Sequence, residues 1–70
     1  LGPDAQPAIE ALAKALGDRD AQVRRAVVWS LRDLGPVARG AIPALERMRD
    51  SDRTDGMREL AVEALEAIRG

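Results

Sequence analysis

Three glutamates, Glu59, Glu63 and Glu66, recur at spacings of four and three, which places them on one face of a helix. Paired carboxylates on one face can in principle work as acid and base. Here they lack the partners such chemistry uses. The chain has no His and no Cys, so imidazole relays, thiol nucleophiles and the usual imidazole or thiolate metal sites are excluded, as are disulfides. Its one lysine, Lys14, reads as a solvated surface residue rather than a Schiff-base former. The acidic set therefore reads as a salt-bridged, solvated strip, and no catalytic residue and no cofactor is expected. The run Asp50-Ser51-Asp52-Arg53-Thr54-Asp55-Gly56 hints at a calcium loop. In EF-hand register, however, its Gly falls one position late and Ala61 stands where a bidentate Glu is needed. Capping of the next helix by Thr54 or Asp55 is the reading that its side chains favour.

A second constellation is Arg25, Trp29 and Arg32, again at spacings of four and three. Trp and Arg are the side chains that most often anchor protein interfaces. The alternative is local: Trp29 lies under Arg25 or Arg32 in a cation–π contact, worth about 0.5–1 kcal/mol when exposed.

Both constellations need helices, and the chain supplies them twice. At an offset of 33, Leu1-Gly2-Pro3 falls on Leu34-Gly35-Pro36, and eight of the first twelve positions are identical. After one inserted residue the offset becomes 34: Arg24 meets Arg58, Val28 meets Val62 and Leu31 meets Leu65. Copy one covers about 1–33 and copy two about 34–70. In copy one the apolar spacing predicts a helix over Asp4–Leu16, a turn Gly17–Asp20 in which Asp18 or Asp20 caps the second helix, and that second helix over Ala21–Leu34. Gly35 is expected to end it in the left-handed conformation, and Pro36 cannot continue it. Copy two predicts helices over Val37–Arg49 and Gly56–Arg69 around the loop Asp50–Asp55. Pro7 and Pro43 should each kink or restart their helix. On the Ala21–Leu34 helix, Val23, Val27, Leu31 and Leu34 define the expected core face. Val28 and Val62 flank the core and should pack on adjacent copies.

Taken together, Gly-Pro…Ala-Ile-x-Ala-Leu…Asp-x-Asp-x-x-Val-Arg…Leu resembles the HEAT repeat family, in particular the short bacterial type also seen in phycobilisome-lyase-like proteins. The resemblance covers the whole chain. Asp20-Ala21-Gln22-Val23-Arg24 carries the family's Asp-x-x-Val-Arg signature, and copy two departs from it at Arg53–Arg58. It implies an all-α solenoid fragment of two tandem helical hairpins, four helices in all, and a role in protein–protein interaction. It also implies that Arg24 and Arg58 lock neighbouring repeats by pairing with turn aspartates such as Asp18, Asp20 or Asp52. The outer side of each second helix would then line a concave surface, with Arg25, Trp29 and Arg32 on one and Glu59, Glu63 and Glu66 on the next. The strips either pair with each other or receive a protein partner.

Composition limits the partners. The formal net charge is −1, which argues against a general polyanion binder. Nucleic acid is the runner-up, with Arg24, Arg25 and Arg32 on phosphates and Trp29 stacked on a base. No apolar run approaches the length of a membrane span. No signal-peptide pattern opens the sequence, so a cytoplasmic location is expected by elimination. Of the 32 hydrophobic residues 13 are Ala, and neither Phe nor Tyr is present. Such a core packs closely but gains little per residue. A chain of this size buries only about 60% of its unfolded surface. Leu1-Gly2-Pro3 stands where a preceding repeat would finish. Further repeats of the same array, or a homo-oligomer, are therefore expected to cover the flanks. A designed or excised minimal repeat protein, without a partner, is a further alternative.

Overall fold

Helix α1 spans Ala5–Ala15 and is followed by the turn through Asp20, where α2 begins, spanning Ala21–Leu34. A 3-10 segment, Gly35–Ala41, leads into α3 (Ile42–Ser51), and α4 (Met57–Arg69) closes the chain. The computed structural model describes residues 5–70; the Leu1-Gly2-Pro3 seam and the expected helix start at Asp4 lie outside them. The described residues contain helices, turns and no strand.

The local chemistry accounts for most boundaries. Pro7 sits in the first turn of α1, where no backbone N–H is needed within the helix, so it produces neither a kink nor a restart. Asp20 caps α2: its Oδ1 accepts from the Gln22 N–H at 2.8 Å. Gly35 ends α2, and its N–H donates to the carbonyls of Arg32 and Leu31. Its conformation, φ 65° and ψ −141°, is not the left-handed cap expected for it but an extended region open essentially to glycine alone.

Copy two departs further from expectation. The helix expected over Val37–Arg49 is divided. Pro43 has no N–H to give the Arg39 carbonyl, and its ring would collide with that oxygen, so an α-helix cannot run through it. The chain stays in the tighter 3-10 form to Ala41, with Ala38 kinked at φ −89°, ψ 21°, and α3 restarts at Ile42 with Pro43 in its first turn. At its far end α3 runs two residues beyond Arg49, to Ser51, whose hydroxyl donates to the Arg47 carbonyl at 2.7 Å. Helix α4 starts at Met57 rather than Gly56. Neither Thr54 nor Asp55 caps it; Gly56 occupies the cap position at φ 79° without a side-chain hydrogen bond.

Helix α2 packs on α1 and on α4, α3 packs on α4, and the 3-10 segment touches all four helices. The buried apolar cluster includes Ile9, Val28, Leu31, Leu45, Met57 and Ile68, interleaved with Ala38, Ala41, Ala61 and Ala64. The alanines let backbones approach. A Cβ added to Gly40 would lie 2.9 Å from the end of the flexible Gln6 side chain and 3.3 Å from Ile9 Cγ2, so the 3-10 segment approaches α1 closely there. The core face of α2 differs from the expected one. Val27 and Leu31 are buried and Leu34 is half-buried, but Val23 is exposed; Val28, expected at the flank against the adjacent copy, is fully enclosed. Packing on two sides, by α1 and by α4, rotates the buried stripe towards Val28.

Leu31 is fully enclosed between these elements. Leu31→Ala should cost about 2–5 kcal/mol, and chemical denaturation followed by far-UV circular dichroism should show it as a large loss of the folded baseline.

Candidate functional site

Two groups of side chains lie where the copies meet. The first is centred on Arg24, whose side chain is mostly buried. Its Nε donates to Asp52 Oδ2 at 3.0 Å, its Nη2 to Thr54 Oγ1 at 2.7 Å, and its Nη1 to the carbonyls of Asp18 and Arg19 at 2.7 and 3.1 Å. One guanidinium thus ties the turn of copy one to the loop of copy two. The loop is shaped to receive it. Asp52 Oδ1 accepts from the Thr54 N–H at 2.8 Å, a tight Asx turn that leaves Oδ2 for Arg24. Burial pushes the Asp52 carboxyl up, but the Thr54 N–H and hydroxyl and the Arg24 guanidinium together outweigh it and hold the group below its ordinary range.

The other residues expected at this junction fall differently. Asp18 contributes its backbone carbonyl to Arg24, while its Oδ1 accepts from the Asp20 N–H at 2.8 Å. Asp20 caps α2 and does not reach an arginine. Arg58, the counterpart of Arg24, pairs with no aspartate among the described residues. Its Nε donates to the Arg49 carbonyl at 2.8 Å, at the end of α3. Asp50 is engaged by Arg49 at 2.9 Å, and that hydrogen bond lowers its carboxyl below the ordinary range. Thr54 is a ligand of Arg24 that sequence reasoning misses. Its sequence signal is that of a helix cap, and nothing local to it indicates that Arg24, thirty residues earlier, comes within reach.

The second group is the outer face of α2 and α4. Trp29 is 45% exposed. Arg25 and Arg32 are half-buried beside it, and Glu59, Glu63 and Glu66 are exposed on α4. Arg32 Nη1 meets Glu63 Oε1 at 3.2 Å, so one ion pair joins the two strips; Arg32 Nε also lies 4.0 Å from Asp33 Oδ1. The structure does not bring Arg25, Glu59 or Glu66 into an ion pair among the described residues. Farther along, Arg69 pairs with Glu46, tying the end of α4 to α3.

Arg24 and Arg32, two of the three cations a nucleic-acid face would use, are thus occupied by carboxylates. No described helix is long and apolar enough to cross a membrane.

A family model described as HEAT repeats matches residues 2–66. No curated protein matches the chain, and no solved structure does.

Arg24→Ala would leave Asp52 and two turn carbonyls without their donor and should cost about 1–3 kcal/mol. That corresponds to a fall in Tm of several degrees or more in a domain of this size. Arg24→Lys, a point charge without the planar fork, should recover only part. Asp52→Asn adds a pH test. The native carboxyl titrates below its unfolded value of 3.8, so its charge stabilises the fold above that pH, and the gain is lost as pH falls through the depressed native value. Thermal melts should show the variant clearly weaker than the parent at pH 7 and the gap closing below about pH 3–4.

Proposed function

Because the chain belongs to the HEAT repeat family, we propose that it is a stretch of α-helical solenoid, with repeats over about 1–33 and 34–70, that binds another protein and performs no catalysis. Repeat stacks of this kind expose continuous surfaces built from successive second helices, and the partner is read by side chains that differ from repeat to repeat. The site we assign is the outer face of α2 and α4: Trp29 as anchor, Arg25 and Arg32 beside it, and Glu59, Glu63 and Glu66 as the acidic half.

The observation that carries this reading is the exposure of Trp29. It is the only aromatic side chain of the protein, and almost half of it faces solvent while Val28 next to it is enclosed. The core is short of large side chains and would gain from burying this one. The Arg32–Glu63 pair borders it and is solvent-screened, worth about 0–1 kcal/mol, so a partner can rearrange it at little cost. A helix or peptide with one apolar ridge and charges of both signs on its flanks fits such a surface. The nucleic-acid alternative is the weaker, because Arg24 and Arg32 are already neutralised and three glutamates stand alongside. The clamp around Arg24 we assign to holding one repeat on the next.

As Trp29 is the single tryptophan and no tyrosine competes with it, its emission reports the site directly. Peptides selected from a displayed library on the native chain should shift that emission to the blue on binding. They should lose affinity by about tenfold or more on Trp29→Ala, the scale of an interface anchor. Selected peptides that bind both forms equally and leave the emission unchanged would remove the assignment.

A further inference from the structure

One peptide bond of the protein combines the features that let a chain react with itself. Asp55-Gly56 is the only Asp-Gly step in the sequence. Both residues are exposed, in the loop between α3 and α4. Among the described residues the Asp55 carboxylate accepts no hydrogen bond and joins no ion pair, and the Gly56 N–H donates to nothing. Open space surrounds Gly56, where an added Cβ would meet nothing within 4 Å. Every other aspartate precedes a residue whose Cβ shields the amide nitrogen. Asp18, Asp20, Asp50 and Asp52 also have a carboxylate oxygen engaged in a hydrogen bond, and Asp33 lies within α2.

The backbone around this step is held in one particular turn. The Met57 N–H donates to the Thr54 carbonyl at 3.0 Å, with Asp55 and Gly56 between them. Gly56 stands at φ 79°, ψ −13°, and Asp55 has a negative φ. These values define a type II turn, which sets ψ of Asp55 near about +120°. Attack of the Gly56 nitrogen on the Asp55 side chain needs that nitrogen nearly eclipsed with Cβ about the Asp55 Cα–C bond. In a type II turn the two stand far from eclipsed, so the folded turn keeps the reacting atoms apart. Thr54 anchors the turn, and Thr54 is itself held twice: its N–H donates to Asp52 Oδ1 at 2.8 Å, and its hydroxyl accepts from Arg24 Nη2 at 2.7 Å.

We propose that Asp55-Gly56 is a site of spontaneous isoaspartate formation, and that the clamp around Arg24 restrains the reaction by keeping the turn closed. When the turn opens, the Gly56 nitrogen attacks Asp55 Cγ. A C–N bond forms, a Cγ–O bond breaks, and one water leaves, made of a carboxyl oxygen, its proton and the amide proton. The product is a cyclic succinimide, and one water then adds to one of its two carbonyls. Addition at Cγ restores aspartate. Addition at the main-chain carbon breaks that carbon's bond to the Gly56 nitrogen. The chain then runs through the former side chain, and the former main-chain carbonyl becomes a free carboxylate. Water is the only co-reactant, and the net composition is unchanged. The rearranged backbone is one atom longer between Thr54 and Met57. The hydrogen bond that closes the turn is lost, and Thr54 is no longer fixed beside Arg24. The modification thus acts on the junction between the two copies.

Prolonged incubation of the full chain in heavy-oxygen water, at neutral pH and physiological temperature, tests this. The peptide containing residue 55 should gain one heavy oxygen per conversion. It should also resist an endoprotease that cuts before aspartate, and accept a methyl group from an isoaspartyl carboxyl methyltransferase. Asp55→Glu, whose longer side chain closes a less favourable ring, should stay unchanged. Thr54→Val removes the hydroxyl that Arg24 holds and should speed conversion about two- to tenfold, the rise in open turn given by one lost hydrogen bond. Thr54→Ser, which keeps the hydroxyl, should convert at the parent's rate. Far-UV circular dichroism controls for folding. If Thr54→Val loses helix, the parent unfolded in urea takes its place and should convert faster than the native parent. The converted chain, once separated, should melt below the fresh one. Absence of conversion at residue 55, or conversion of another aspartate at an equal rate, overturns the site. A folded Thr54→Val, or an unfolded parent, that converts no faster than the native parent overturns the restraint by the clamp. A converted chain that melts with the fresh one overturns the effect on the junction.

Discussion

The closeness of α2 to α4 is the constraint on which the rest of the structure depends. With 13 alanines and a single aromatic residue, the chain cannot build a core from large side chains and must gain contact by bringing backbones together. Ala61 and Ala64 on α4, Val27, Val28 and Leu31 on α2, and Ala38 and Ala41 of the 3-10 segment are buried in one cluster. Gly40 extends this to α1, where even a methyl group would press on Gln6 and Ile9. A larger side chain at any of these places would separate elements whose contacts are the main source of stability.

Close approach by itself would leave the copies free to slide. The guanidinium of Arg24 removes that freedom. It spans both connections and bonds at once to a carboxylate, a hydroxyl and two main-chain carbonyls. Its planar fork sets angles as well as distances, which a lysine would not do. The Asx turn at Asp52 orients the acceptor. Gly56 in the left-handed conformation then brings the chain into α4.

The outer surface obeys a different logic. Cores of the two copies match closely, but Arg25, Trp29 and Arg32 on one second helix stand against Glu59, Glu63 and Glu66 on the next. Among the described residues one ion pair joins them. Such a surface adds little to folding and leaves an indole partly in water, and the proposed binding role rests on that exposure.

Much of this was legible in the order of residues alone. The duplication, the all-helical character, the extent of α2 and its cap, and the termination at Gly35 come from local rules: apolar spacing, side-chain oxygens ahead of helices, and the exclusion of Pro from helix interiors. The grouping of Trp29 with its arginines and of the three glutamates also needs only helical periodicity. What tertiary structure decided is which of two adjacent stripes on α2 is buried. It exposed Val23 while keeping Val27 and Leu31 buried and enclosing Val28 at the flank, because α2 is covered from two sides and periodicity counts only one. It also decided that Thr54 serves Arg24 rather than α4, and that Arg58 rests on a carbonyl where Arg24 finds a carboxylate. The two arginines hold equivalent positions in the two copies. They differ because the loop after α3 brings Asp52 and Thr54 to Arg24, whereas Arg58 lies beside the end of α3 and meets the Arg49 carbonyl.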